Sequence, residues 1–237
     1  SFALFLSHLL AAPESNKAKA ARKLLKSNDA DLERALKVET KGSDGYLEVL
    51  ISGTPERLSL RYLRGIQEAM VGYWQGRKGK KPSVILNMER YADLGEVSVS
   101  ELIELTKTCQ AALSKVGCPG MIIVFDEFGK FLEYESRFAG VNDVFLLQAL
   151  AEHAHAGHST KILLLVLLHQ SIEQYARGVG ESLKNEWAKI QGRFEEIPFL
   201  ESAEQTLRVV NAAITQKSFD RESEKLINAD IRTAVEI

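Results

Sequence analysis

The stretch GMIIVFDE, Gly120–Glu127, is the part of the sequence that decides the fold. Its residues are apolar without interruption from Met121 to Phe125, and two acidic residues follow directly. A second apolar stretch, KILLLVLLH at Lys161–His169, comes about one helix and its loops later. Strands that are apolar on both faces are typical of parallel sheets covered by helices on each side. We therefore predict an α/β protein with a mainly parallel sheet.

Strands and helices alternate along the rest of the chain. Two further strands are predicted, at Tyr46–Ser52 and at Phe194–Phe199. Helices or short helical pieces are predicted at Ser1–Ala12, Lys17–Leu36, Leu58–Tyr73, Val99–Val116, Asp143–His155, Ile172–Gly180, Glu186–Gln191 and Ser202–Thr215. Functional side chains in such sheets lie at the carboxyl ends of strands, which here carry Ser52, Asp126–Glu127 and His169–Gln170.

Composition excludes several classes of protein. The net charge of −2 leaves no overall basic field that would argue for nucleic-acid binding. The longest apolar run, Ile162–Leu168, is far too short to cross a bilayer. Cys109 and Cys118 provide neither a disulfide framework nor a metal-binding spacing. We therefore expect a cytoplasmic protein with no membrane partner.

The end of the first apolar stretch resembles the Walker B motif of P-loop NTPases, in which apolar residues precede Asp-Glu. In that motif the first acid, here Asp126, helps to hold Mg²⁺, usually through water, beside the nucleotide phosphates. The second acid, here Glu127, orients and polarises the attacking water. The short motif alone does not distinguish a Walker B strand from an ordinary strand that ends in acidic surface residues.

The beginning of the chain also bears on whether this is a P-loop NTPase. A Walker A loop, GxxxxGK[ST], is absent from the sequence. Ser1–Leu6 nevertheless resembles the helix that follows such a loop, with Ser1 as its hydroxyl residue or the residue after it. We expect the missing strand and phosphate-binding loop upstream of Ser1. The weaker interpretation of this apolar segment is a signal-peptide core.

Two downstream segments resemble other parts of an ATPase site. Gln170, with His169 as second choice, matches the polar sensor residue that contacts the γ-phosphate or the attacking water. Arg193, in GRFEEIPF, matches the arginine that reaches a neighbouring subunit's site in AAA+ proteins, and Arg177 is a weaker candidate. The alternatives are an ordinary loop after the strand and an ion pair of Arg193 with a nearby glutamate, namely Glu186, Glu195 or Glu196.

Over Gly120–Val210 the chain is similar to AAA+/ASCE ATPase domains of large bacterial proteins, including BREX-type ATPases of anti-phage defence. The resemblance implies a three-layer α/β/α P-loop sandwich, truncated at its first strand, with an ATPase core at 1–200 and a helical lid beginning at 201–237. It also implies ATP and Mg²⁺ as ligands, a homo-oligomer with an arginine acting in trans, and other protein subunits. Two alternatives stay open, a non-catalytic nucleotide-binding scaffold and an ATPase stimulated by nucleic acid.

Overall fold

A parallel β-sheet forms the centre of the computed structural model, which describes residues 2–75, 77, 80–138, 143–157, 160–177, 179–198 and 207. The described residues contain β1 (Leu47–Ser52), β2 (Gly120–Asp126) and β3 (Lys161–Val166), in the order β1-β2-β3. Ser52 of β1 pairs with Asp126 of β2, and Phe125 of β2 pairs with Val166 of β3. The carboxyl ends of all three strands therefore meet at one edge. This confirms the predicted α/β class with parallel strands.

Helices connect the strands and cover the sheet. They are α1 (Phe2–Ala11), α2 (Asn16–Asn28), α3 (Ala30–Glu39), α4 (Leu58–Trp74), α5 (Ser83–Leu94), α6 (Val99–Ser114), α7 (Gly129–Arg137), α8 (Phe145–His155), α9 (Ile172–Tyr175) and α10 (Glu181–Gln191). Local sequence explains several of the boundaries. Ser98 and Glu101 form a reciprocal capping box at the start of α6. Gly95 ends α5 in the left-handed conformation with φ of 69°.

The core lies on both faces of the sheet. Alternate residues of β2, such as Ile123 and Phe125, join a large cluster with α4 to α8 and α10. The residues between them, Ile122 and Val124, pack on the other face in a smaller cluster with Leu10 of α1 and partly buried Leu36 of α3. Because β2 is buried on both faces, it needs apolar residues throughout. The arrangement is compatible with a three-layer α/β/α fold.

β3 differs from the prediction in length and in burial. Regular strand structure ends at Val166, so His169 and Gln170 lie in the loop that follows. The Leu167 N–H still bonds the Phe125 carbonyl at 2.8 Å, which extends the pairing by one residue. Residues Ile162–Val166 are half-buried, because β3 pairs with β2 alone among the described strands and its other edge is free.

Other predicted elements are corrected or fall outside the described residues. The single helix predicted at Lys17–Leu36 is two helices, because the Asp29 side chain caps α3 by accepting the Asp31 and Leu32 N–H groups. Residues 194–198 of the predicted strand Phe194–Phe199 form no strand. Pro198 has no N–H to give to a sheet. Helices α5 and α7 were not predicted.

The chain divides into two compact units, Ser1–Glu195 and Glu196–Ile237. The predicted boundary at residue 200, the helix at Ser202–Thr215 and most of the segment 201–237 lie outside the described residues, as does Ser1. Across the part of the chain that the structure describes, no helix combines the length and apolar character needed to span a bilayer.

Candidate functional site

The candidate site lies at the edge where the three strands end. Asp126 is the last residue of β2 and is exposed, whereas the five residues before it are buried. Its Oδ1 accepts the N–H of Glu127 at 2.9 Å, and its carbonyl accepts the N–H of Gly53 at 2.8 Å. A buried strand and the neighbouring loop thus hold the backbone that carries an exposed carboxylate. Within the described residues the other side-chain oxygen, Oδ2, accepts no hydrogen bond.

Glu127 has an unusual backbone conformation. Its φ of 51° is the positive value of a left-handed residue, and no other described non-glycine residue has one. This conformation costs about 1–2 kcal/mol for an L-residue with a side chain. Strained residues of this kind cluster at functional sites. The strain at Glu127 is consistent with a functional role for the turn between β2 and α7.

Two cationic or titratable groups lie beside the Glu127 carboxylate. Lys130 Nζ forms an ion pair with Oε2, and His169 Nε2 lies 4.0 Å from Oε1. The pKa of Glu127 is held below its usual value, mainly by Lys130 and to a smaller extent by His169. The carboxylate is therefore ionised at neutral pH, while 41% of the side chain stays exposed.

Gly53 makes the close approach of two loops possible. A Cβ at this position would lie 2.1 Å from the carbonyl oxygen of Glu127 and 2.9 Å from its carbonyl carbon. Both contacts are to backbone, which cannot rotate away. The sequence showed a turn at Gly53-Thr54-Pro55, but only the pairing of β1 with β2 reveals that the turn touches Glu127.

The loop after β3 completes the described part of the site. The N–H of Phe128 donates to the Leu167 carbonyl at 3.1 Å, which joins this loop to the turn containing Glu127. His169 and Gln170 follow, and both are exposed. The structure therefore brings Asp126, Glu127 and the His169–Gln170 segment to one edge. The His169–Glu127 approach brings together side chains from the ends of two different strands.

Arg193 is placed differently. Its guanidinium forms an ion pair with Glu152 of α8 at 2.7 Å, with 41% of the arginine side chain and 48% of the glutamate side chain exposed. Within the described residues no ion pair joins Arg193 to Asp126 or Glu127. Arg193 thus forms an ion pair with a glutamate, Glu152, that is not among the three nearby glutamates considered from the sequence.

The residues present suit one type of metal site. The described part of the chain contains no group of three or more His, Cys, Asp or Glu side chains able to enclose an ion. Mg²⁺ in nucleotide-dependent enzymes needs no such cage, because one or two carboxylates, water and the substrate phosphates complete its octahedron. Asp126, with an exposed carboxylate, fits that type of site.

Comparisons of the chain with protein-family models, with curated proteins and with solved structures found no match.

Proposed function

We propose that this chain forms part of the active site of a Mg²⁺-dependent ATP hydrolase that drives conformational change in an oligomeric or multi-protein assembly. The observation that carries the proposal is the pair Asp126–Glu127 at the end of the fully buried strand β2, with Glu127 in a left-handed turn beside the end of β3. Buried parallel strands with polar residues at their carboxyl edge are the usual framework of nucleotide sites in α/β proteins.

The two acids have different surroundings, which supports different roles. Asp126 presents a carboxylate for Mg²⁺, whose charge offsets that of the β- and γ-phosphates when it is bound. Glu127 is ionised and half-exposed, so it is able to accept a hydrogen bond from water. A pKa below the usual value gives little driving force for full proton abstraction. Glu127 therefore orients and polarises the water more than it removes the proton.

The remaining roles follow from position. Gln170, one residue beyond His169, is the amide that contacts the γ-phosphate or the attacking water. The phosphate-binding loop is expected upstream of Ser1. The free edge of β3 supports this expectation, because an edge strand with apolar side chains on both faces favours pairing with a further strand.

The proposed role of Arg193 is in trans, at the site of a second subunit. Its ion pair with Glu152 is half-exposed on both sides. Such pairs stabilise a protein by only about 0–1 kcal/mol. The pair can therefore open at small cost when a neighbouring subunit docks.

A non-catalytic scaffold is the second candidate, and one observation favours it. Lys130 occupies Oε2 of Glu127, so a water-positioning role requires that oxygen to be shared or released. Such a scaffold would bind nucleotide without turning it over, or would bind none.

Thermal unfolding with ATP and Mg²⁺ tests the proposal on the natural full-length protein. Ligand at about one hundred times its dissociation constant should add roughly 2.7 kcal/mol to the stability. Asp126→Asn should lose the part of this gain that depends on Mg²⁺ while retaining the fold. Absence of any stabilisation by ATP would reject both the ATPase and a scaffold that binds nucleotide. Stabilisation without turnover would favour the nucleotide-binding scaffold.

A further inference from the structure

Helix α2 concentrates positive charge to a degree that the composition of the whole chain hides. Its 13 residues, NKAKAARKLLKSN, include five lysines or arginines and no acidic residue. The whole chain has a net charge of −2, so the residues outside α2 carry −7 (−2 − 5). A strong separation of charge within one chain is typical of proteins that contact nucleic acid or membranes.

Three of these cations form a row along one side of the helix. Lys19, Lys23 and Lys26 stand four and three positions apart, and residues at this spacing share a helix face. The row, which we call the lysine face, extends over about 10 Å of the helix axis. All three residues are exposed, whereas Ala18 is buried and Leu25 is half-buried on another side of the helix. Since α2 packs against α1 and α3, this apolar side is the one turned to the protein.

The lysine face is not neutralised by the part of the chain that the structure describes. There, Lys23 and Lys26 form no ion pair, and Lys19 approaches Glu14 only to 4.0 Å, with 62% of the lysine side chain exposed. Three lysines of other helices each pair with a glutamate three positions earlier, namely Lys107, Lys184 and Lys189. Like charges one turn apart repel each other and destabilise a helix, so an external anion along the row would remove this repulsion.

The packing of α2 argues against a lipid surface as the partner. An interfacial helix places its apolar side in the bilayer and its lysines beside the head groups. In α2 that apolar side is turned to α1 and α3. Of the two leucines of α2, Leu24 alone is exposed, at 60%. One exposed leucine is ordinary on a protein surface, and it offers a protein partner no apolar core to bury.

Double-stranded nucleic acid matches the lysine face in charge and in shape. A DNA duplex carries about one negative charge per 1.7 Å of its axis, so several phosphates lie within reach of a row of about 10 Å. Single strands are held by aromatic side chains that stack on the bases, and α2 contains no aromatic residue. Lysine binds phosphate as a flexible point charge, which supplies attraction but reads no base sequence.

We propose that the lysine face binds the phosphate backbone of double-stranded nucleic acid, independently of base sequence. The phosphates supply the anionic partners that Lys19, Lys23 and Lys26 do not find among the described residues. This binding requires neither ATP nor its hydrolysis, so its test does not depend on the proposed function.

Fluorescence anisotropy of a labelled DNA duplex of arbitrary sequence, titrated with the natural full-length protein between about 50 and 200 mM salt, tests the proposal. The variant Lys19→Gln/Lys23→Gln/Lys26→Gln loses three phosphate contacts, while glutamine keeps nearly the same helix propensity. Each lost contact lowers the slope of log K against log salt by about 0.9, so the slope should fall by about 2.7. Wild-type protein should therefore lose about 40-fold more affinity than the variant over this salt range.

A matched variant controls for the loss of charge itself. Lys107→Gln/Lys184→Gln/Lys189→Gln removes three positive charges from α6 and α10, where each lysine already has a glutamate partner. Its salt slope should equal that of the wild type. The proposal would be overturned by a wild-type protein that does not bind the duplex at about 50 mM salt. Equal slopes in the wild type and the lysine-face variant, or an equal loss in the control variant, would also overturn it.

Competition identifies the polyanion that the lysine face prefers. Vesicles that contain phosphatidylserine, and separately poly-glutamate, are added to the complex of wild-type protein and duplex at equal concentrations of negative charge. The duplex should stay bound, because its high charge density releases more condensed counterions on binding. Displacement by the vesicles would assign the face to a membrane, and displacement by poly-glutamate would assign it to an acidic protein. Either result would refute the assignment to nucleic acid.

Discussion

At the scale of single residues, the Glu127 carboxylate is controlled by a residue of the same turn. Lys130 lies three positions along the chain and pairs with Oε2. Its ammonium donates a hydrogen bond to the carboxylate, and this bond, followed by its positive charge, is the main reason that the pKa of Glu127 is lowered. The pair therefore sets the pH at which the proposed water-orienting group is lost.

Lys130→Met should move the acidic limb of the pH–rate profile of ATP hydrolysis to higher pH. Without the ammonium the pKa of Glu127 rises toward its usual value, so a larger fraction is protonated at a given acidic pH. Lys107→Met is a matched control, because Lys107 forms an exposed pair with Glu104 at the same spacing on α6. An acidic limb that is identical in wild type and Lys130→Met would contradict the assignment.

Gly53→Ala should disturb the site through the backbone alone. The new methyl group would overlap the Glu127 carbonyl, and relieving the overlap separates β1's loop from the end of β2. Forced overpacking of this kind typically costs about 1–3 kcal/mol, and turnover should fall as well. Chemical denaturation and kcat measure the two effects. Gly180→Ala, at a site with open space, is the control for turnover and should leave kcat unchanged, although it weakens the N-cap of α10. A harmless Gly53→Ala would show that the loops do not need this contact.

The residue scale also shows how far sequence alone reaches. The position of Asp126 and Glu127 at the end of a buried strand was predictable, because an apolar run that ends in two acids is a local pattern. The role of Gly53 was not, since it depends on the pairing of Ser52 with Asp126 across 74 positions of the chain (126 − 52). Lys130 was missed because α7 itself was not predicted, and helical spacing has no meaning without the helix.

At the scale of secondary-structure elements, α8 and the turn after α10 share the Glu152–Arg193 pair. Glu152 is itself held by Gln148, whose amide donates to Oε1 at 2.9 Å one turn earlier on α8. Phe194 packs against the core beside Arg193 and anchors the backbone there. The arginine is therefore a half-exposed side chain on a fixed backbone position.

Exchanging the charges of Glu152 and Arg193 distinguishes a stabilising ion pair from a role of Arg193 at the site of a neighbouring subunit. Glu152→Arg combined with Arg193→Glu should restore any stability lost in the single variants, because the opposite charges still meet. Turnover by the assembled protein should stay as low as in Arg193→Ala, since the donor to the neighbouring site is gone. The measurement is ATP turnover per chain, at protein concentrations below and above the one at which the chains assemble. Full activity in the exchanged variant, or equal activity in monomer and assembly, would rule out the trans role.

A buried carboxyl group links α7 to the start of α8. Glu135 is 6% exposed and accepts the N–H of Val144 at 2.9 Å. Burial, and after it the charge of Asp143, raises the pKa of Glu135 to about 6. Asp143 in turn accepts hydrogen bonds from Nε and Nη2 of Arg57, each at 3.1 Å, and from the Ser59 hydroxyl at 2.9 Å. The three helices α4, α7 and α8 thus meet around two carboxyl groups.

Glu135 should make the protein less stable as pH rises from about 4.5 to about 6. The folded state keeps the proton to a higher pH than the unfolded chain, so its advantage is complete below the unfolded pKa and lost as pH passes the folded one. After allowance for solvent screening the loss is about 1 kcal/mol, or roughly 2–4 °C in the unfolding midpoint. Glu135→Gln should flatten this part of the curve, and an unchanged slope would contradict the pKa assignment.

Element boundaries were predicted best where a strand is buried on both faces. β2 begins and ends at the predicted residues, because hydrophobic burial demands an apolar residue at every position. β3 has an equally apolar sequence but stops at Val166, since it lacks a second neighbouring strand in the described structure. Apolar sequence indicates a strand, whereas the length of the strand depends on its neighbours.

At the scale of the whole molecule, the sheet is asymmetric. β1 and β2 are packed under a large helical cluster, and the other face is covered mainly by α1 and in part by α3. Among the described residues, no strand pairs with the second edge of β3, and its leucines are half-buried. Under the proposed function, a further strand paired there in parallel would carry its loop to the same edge as Asp126 and Gln170.

ATP turnover by the natural full-length protein, compared between wild type and Glu127→Gln, tests the central claim most directly. Glu127→Gln keeps the shape of the side chain and removes its charge, so ATP–Mg²⁺ should bind with a similar Kd. Turnover should fall by about 10²- to 10⁴-fold, the usual contribution of a group that acts on the attacking water. Retention of wild-type turnover by Glu127→Gln would contradict the assignment of Asp126 and Glu127 as the acids of an ATPase site.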